Sequence, residues 1–264
     1  MKKTGFFSKL YIALMLIFMQ MPIIVLMVYS FNDAASRANW GGFSLRWYEA
    51  MFRDATVMNS LWVTLACGIL AAVLATVIGT LAAIGLNSMK KRAYSATIAV
   101  AYLPMLNAEI VTGVSLFMLY TKLNMQLGFV TLLISHITFC LPYVILSVMP
   151  KVRQFDYSKY EAAIDLGAKP SYAITRIMLP ELAPGIISGF ILSLTLSIDD
   201  FVISKFTTGN GVDNLSTLIY SAKGGFGGMP QKISALSTVI YVVVLTILII
   251  NYLRTRKSDR ENLF

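Results

Sequence analysis

A chain of 264 residues that is 57% hydrophobic and only 13% charged is too apolar for a soluble domain of this length, and the bilayer is its expected solvent. The net charge of +9 does not indicate nucleic acid, because the basic residues gather in short clusters beside apolar runs, where they act as topology signals. Runs such as SLWVTLACGILAAVLATVIGTLAAIGL, residues 60–86, are apolar all round, whereas a membrane barrel would show short segments of alternating polarity. The predicted fold class is therefore all-α, a polytopic membrane protein with one transmembrane domain over residues 1–264.

In chain order, spans are expected near Leu10–Val28, Leu61–Leu86, Ala96–Tyr120, Gly128–Met149, Pro184–Phe206 and Ile233–Leu253, since about 20 apolar helical residues cross the hydrocarbon. The amino end, MKKTGFFSKL before an apolar run, resembles a signal peptide, with AAS at 34–36 as a mimic of a cleavage site. The run is longer than the usual apolar region of such a peptide, and polar Ser30, Asn32 and Asp33 separate it from AAS, so an uncleaved first span is expected. An even number of spans puts both termini on one side. That side then carries 15 Lys and Arg against 7 on the other, counting Lys205 at the outer end of the fifth span with the outer residues. Positive residues near span ends stay in the cytoplasm, so both termini and residues 150–182 are expected to face it.

Cys67 and Cys140 sit in apolar runs without disulfide or zinc spacing and read as packing residues. His136 is the single histidine, which argues against a histidine metal site and suggests a polar contact between helices. No G-x-x-x-x-G-K-[ST] phosphate loop occurs, so no cofactor is expected on this chain, and any ATP binds elsewhere.

The cytoplasmic loop reads KVRQFDYSKYEAAIDLGAKPSYAITRIMLPELA. Ser158 and Glu161 form an S-x-x-E capping box, which predicts a short helix starting near Lys159 and ending at Gly167. A helix of about two turns is not stable alone, so it needs a partner surface, to which Ala162 and Ala163 allow close approach while Glu161 and Asp165 offer charge.

Residues 161–180, EAAIDLGAKPSYAITRIMLP, match E-A-A-x3-G-x9-I-x-L-P, the pattern of binding-protein-dependent transport permeases, at Glu161, Ala162, Ala163, Gly167, Ile177, Leu179 and Pro180. The sequence thus resembles that family, which implies a type I importer permease fold (MetI-like) in a bacterial inner membrane. The resemblance also implies that Tyr160, Glu161, Ala162, Ala163, Asp165, Leu166 and Gly167 form the coupling helix, which sits in a groove on a separate ATPase. ATP and Mg would bind on that partner.

Charges inside spans are costly and mark functional candidates. Glu109 lies in the third expected span, and Asp199 and Asp200 end SLTLSIDD in the fifth. In straight helices Glu109 and Asp199 would stand about 20 Å along their spans, at similar depth, where acids suit the passage of an organic cation. The bland alternatives are pairing with Lys205, capping of a broken helix, or a hydrogen bond to a neighbouring span. Trp47, between the first two spans, offers a face for an ammonium group or serves as an interfacial anchor.

The segments SFND at 30–33, NWGGFSLRWYEAM, SHITFCLPYV and SLTLSIDDFVISKF also resemble the PotC-type permeases of spermidine/putrescine importers. That narrower resemblance implies a polyamine path carried by Trp47, Glu109 and Asp199, with glutamate at 109 where the family usually has aspartate. It further implies a different second permease (PotB-like), two ATPase copies (PotA-like) and an extracytoplasmic polyamine-binding protein (PotD-like). An importer permease for another solute is the nearest alternative. A secondary transporter is disfavoured by the coupling motif.

Overall fold

A computed structural model describes residues 6–34, 39–209, 211–223 and 231–261, with side chains from Leu10 to Ile249 apart from a few positions. Lys2 and Lys3 of the amino tail and two of the three AAS residues lie outside the described residues. Among those described, every regular element is helical, and one isolated bridge joins Asn32 to Phe43.

The helices are α1 Phe6–Ser30, α2 Arg46–Arg53, α3 Ala55–Asn87, α4 Lys91–Leu106, α5 Glu109–Lys122, α6 Phe129–Gln154, α7 Tyr157–Asp165, α8 Pro170–Ala173, α9 Leu179–Asp199, α10 Val202–Thr207, α11 Leu215–Lys223 and α12 Gln231–Glu261. A π turn, Ile174–Met178, joins α8 to α9. Among the described residues four stretches are long and apolar enough to cross a membrane, Leu10–Ser30, Ala55–Asn87, Phe129–Gln154 and Pro170–Asp199, and the pair α4 and α5 makes a fifth if taken as one span. The expected sixth span falls on α12, whose described apolar part is shorter, Gln231–Thr246.

Two expected spans differ in shape. The third is not one straight helix, for α4 and α5 meet at 106° across Asn107 and Ala108. Both residues take extended backbone angles, with Pro104 inside the last turn before them. The fifth starts earlier than Pro184 and stops at Asp199, and α10 resumes after Asp200, which is also extended. The straight rise from Ala96 to Glu109 that the depth argument used is interrupted by the α4–α5 bend, whereas α9 runs unbroken from Pro184 to Asp199.

The chain divides into two compact units, one of Met1–Met58 with Ile219–Phe264 and one of Asn59–Leu218. In the first, α12 packs against α1 and α2, burying Met51, Ile233 and Leu236. Lys232 of α12 pairs with Asp54, whose Oδ1 also accepts the Thr56 N–H at 2.9 Å and the Val57 N–H at 3.3 Å.

In the second unit α6 is the central helix, packed mainly against α9 and also against α4, α5 and α10. Its buried residues Phe139, Val144, Val148 and Val152 meet Leu182, Ala75 and Ala83 in one core. Small residues permit this approach. A Cβ on Gly185 of α9 would come within 3.1 Å of the Ser147 carbonyl oxygen and 3.0 Å of Lys151 Cγ, and one on Gly79 of α3 within 2.7 Å of Val144 Cγ1. Gly185, Gly189, Ser193 and Ser197 recur at four-residue spacing, all buried, which is the small-residue stripe by which apolar helices pack closely in lipid.

Candidate functional site

The segment expected to couple, α7, is built by two caps. Asp156, rather than Ser158, is the N-cap of α7, its Oδ1 accepting from the Ser158 N–H at 3.1 Å and from the Ser158 hydroxyl at 2.6 Å. Because α7 begins at Tyr157, Ser158 lies inside the helix rather than at its cap, and the expected Ser158–Glu161 capping box does not form. The two bonds from Ser158 hold the Asp156 carboxyl below its ordinary range. At the other end Gly167 has φ of +89°, the Gly167 N–H donates to the Ile164 carbonyl at 2.9 Å, and the Ala168 N–H to the Ala163 carbonyl at 3.0 Å. This is a Schellman cap, and the left-handed position explains the glycine.

Between the caps, Glu161, Ala162 and Asp165 are exposed, Tyr160 and Ala163 are half-buried, and Leu166 is 89% exposed. A leucine so bare on a polar loop is an unpartnered apolar contact. It borders a shallow groove of about 660 Å³ that continues to Tyr172 and Thr175.

Three side-chain links tie this region to the spans. Lys159 Nζ lies 2.5 Å from Glu181 Oε1 on α9, and this bond holds the ammonium above its ordinary value. Asn87, the last residue of α3, donates to the Tyr157 hydroxyl at 3.0 Å. Arg153 of α6 donates to the Tyr94 hydroxyl of α4, its guanidinium 5.4 Å from that ring's centre. Sequence reasoning missed these partners, because they join residues 22, 70 and 59 positions apart. Glu181, a charge in the first turn of an apolar helix, was the visible signal.

The acids separate into two kinds. Asp200 is 7% exposed and caps α10, accepting from the Ile203 N–H at 3.2 Å and from the Ser204 N–H and hydroxyl at 2.8 Å each. Its Oδ2 is 3.5 Å from His136 Nε2, and His136, 2% exposed, also lies 2.6 Å from Ser197 Oγ and 3.0 Å from Ser204 Oγ. Asn214 completes the cluster by donating to Ser204 Oγ at 2.7 Å. Capping of a broken helix, one of the bland alternatives, thus describes Asp200, and His136 is a satisfied contact linking α6, α9 and α10.

Glu109 and Asp199 are exposed, and neither carboxylate has a hydrogen-bond or ion-pair partner among the described residues. Pairing with Lys205 does not occur. Glu109 opens α5 just past the bend, and Asp199 ends α9 at its break. Both free acids therefore stand where a span is interrupted, where backbone polar groups also become available to a solute.

Trp47, in the other unit, is half-buried on α2. Its indole N–H donates to the Asn32 carbonyl at 2.8 Å, and Arg46 lies over its ring, Cζ 4.5 Å from the centre. Asn32, fully buried, organises this loop: Oδ1 accepts from Gly41 N–H at 2.7 Å, and Nδ2 donates to the Asn39 carbonyl at 2.8 Å. Among the described residues no cluster of metal-ligating side chains occurs.

The model of the family described as "Binding-protein-dependent transport system inner membrane component" matches residues 75–256. Over 260 residues, 98% of this chain and 96% of the relative, the sequence is 35% identical to the spermidine/putrescine transport system permease protein PotC of Escherichia coli K12. Identity is 36% over 242 residues to PotC of Haemophilus influenzae, covering 92% and 93% of the two chains. It is 32% over 253 residues to the putrescine transport system permease protein PotI of Escherichia coli K12, covering 93% and 89%. A chain of a bacterial ABC transporter involved in import of the acidic polysaccharide alginate superposes with a TM-score of 0.73 at 12% identity, over 97% of this chain and 99% of that one. One from the MetNI methionine ABC transporter gives 0.58 at 18%, over 76% and 96%. These two share the fold. The chain, a homologue of PotC and PotI, belongs to the inner membrane components of binding-protein-dependent transport systems, non-catalytic membrane subunits of ABC importers.

Proposed function

We propose that this protein is one of two different permease subunits of an ATP-driven polyamine importer in a bacterial inner membrane. It crosses the membrane six times, the bent α4–α5 pair counting as one span and α12 as the last, with both termini in the cytoplasm. The observation that carries the ATP-driven part is α7, a short exposed helix fixed at both ends by Asp156 and Gly167 and linked to α9 by Lys159. A helix held so rigidly acts as a lever. Closure of two ATPase subunits around ATP and Mg would move the grooves that hold the coupling helices, and the Lys159–Glu181 and Asn87–Tyr157 links would pass the motion to α9 and α3.

The polyamine part rests on near-full-length likeness to PotC and PotI, together with two unpartnered acids at interrupted spans. In this reading Glu109 and Asp199 meet the ammonium groups of the passing solute, Trp47 offers an aromatic face, and Asp200 positions the α9–α10 break. A partner permease like PotB, two ATPases like PotA and a binding protein like PotD complete the assembly. The test is reconstitution of the four components in proteoliposomes. ATP-dependent accumulation of labelled spermidine, competed by putrescine and not by sulfate, is the expected result. Accumulation that needs no ATPase, or that anions compete, would refute the proposal.

A further inference from the structure

The face of Trp47 is already occupied by a cation. Arg46 Cζ lies 4.5 Å from the indole centre, at the distance of a cation–π pair. The same guanidinium is held from its other edge by Asp33: Nη2 donates to the Asp33 carbonyl at 2.8 Å, and Nη1 is 3.6 Å from Asp33 Oδ1. The indole itself is fixed, since its N–H is committed to Asn32, which is fully buried. The two charged side chains are not, with Arg46 53% and Asp33 45% exposed. An aromatic ring is thus immobilised, and a replaceable cation is laid over it.

We propose that Arg46 is a specificity-determining residue, a resident cation that a solute ammonium must displace from the Trp47 face. The inference rests on the polyamine reading. Arg46 makes contacts on two separable sides, one with the ring and one with Asp33, through its backbone carbonyl and its carboxylate. A monoamine can replace only one of them, whereas a diamine or longer polyamine can replace both, with one ammonium on the indole and another at Asp33. Arg46 therefore raises the threshold for entry generally and raises it most for monoamines.

The test measures uptake of labelled putrescine and spermidine, and competition by butylamine, in the complete reconstituted complex carrying wild type, Arg46→Gln, Arg46→Lys, or Arg46→Gln with Trp47→Ala. Arg46→Gln is expected to lower the apparent KM about two- to fivefold, the size of one exposed cation–π contact, and to improve butylamine as a competitor. Arg46→Lys, which keeps a cation over the ring, should stay within about twofold of wild type. The added Trp47→Ala should erase the gain. An unchanged or raised KM in Arg46→Gln, with Arg46→Lys transporting normally, would overturn the proposal while leaving the polyamine reading intact. A wild-type complex that transports no polyamine would overturn both.

Discussion

Asp200 Oδ2 accepts from both the backbone N–H and the hydroxyl of Ser204, each at 2.8 Å, while the adjacent Asp199 carboxylate stands free. Two neighbouring acids therefore carry opposite predictions. Asp200→Ala removes a helix cap and leaves buried His136 and Ser204 short of a partner, which costs about 2 to 4 kcal/mol and lowers the melting temperature of the purified complex. Asp199→Asn should leave that temperature within a degree or so, yet reduce polyamine uptake about tenfold or more. Equal melting temperatures for the two variants would refute the distinction.

Asn32 predicts a loop that fails as a unit. Asn32→Ala removes side-chain bonds to Gly41 and Asn39 that are otherwise buried, a loss of about 1 to 3 kcal/mol. The expected outcome is faster proteolysis between α1 and α2, with a shift in Trp47 fluorescence as the Asn32 backbone carbonyl that holds the indole N–H moves with the loosened loop. Protease resistance equal to wild type would count against this role.

Gly167 tests the lever. Its φ of +89° is strained for any residue with a Cβ and most strained for a β-branched one. Gly167→Val should keep the complex assembled while ATP hydrolysis no longer drives uptake, read as a fall of about tenfold or more in solute moved per ATP. Gly167→Asn, tolerated in left-handed caps, should fall between the two. Unchanged stoichiometry in Gly167→Val would dispose of the coupling account.

Two ion pairs respond to pH in opposite windows. The hydrogen bond from Lys232 holds the Asp54 carboxyl below its ordinary 3.8, so its stabilisation is present above that value and is lost as the pH falls through the lower folded one. Lys159 is raised above 10.5 by its bond to Glu181, so that link is present below 10.5 and is lost only as the pH rises through the higher folded value. Both pairs are intact at neutral pH. Hydrogen-exchange protection of Thr56 and Val57, whose amides bond Asp54, should hold from pH 7 to about 5 and be reduced at pH 7 in Asp54→Ala. Equal protection in that variant would show the carboxylate to be dispensable there.

Much of this was legible in the sequence. Four long apolar runs became four long helices, since hydropathy over about 20 residues reports what lipid demands of the backbone. Gly167 was legible as a cap because few other residues take that conformation. The breaks at Asn107–Ala108 and Asp200–Phe201 were not, because an apolar stretch reads the same whether the helix inside it is straight or bent, and only Pro104 and the paired acids marked them. The N-cap was misplaced by two residues, since Asp156 and Ser158 are both good caps and only three-dimensional geometry selects between them. Arg46 was passed over for its neighbour Trp47, because a cation stacked on the next residue leaves no spacing signature.

At the π turn Ile174–Met178 the Leu179 N–H donates to the Ile174 carbonyl, reaching back five residues instead of four. Such a turn amounts to a single inserted residue, and in an α-helix one residue corresponds to about 100° of rotation. It therefore sets the phase between the segment that carries α7 and α8 and the Gly185–Gly189 stripe that α9 packs against α6. Deleting one residue here would leave hydropathy and caps untouched yet turn the two ends of this long helix roughly a quarter-circle out of step. Helical phase, more than helix length, thus links the polar loop to the packed spans.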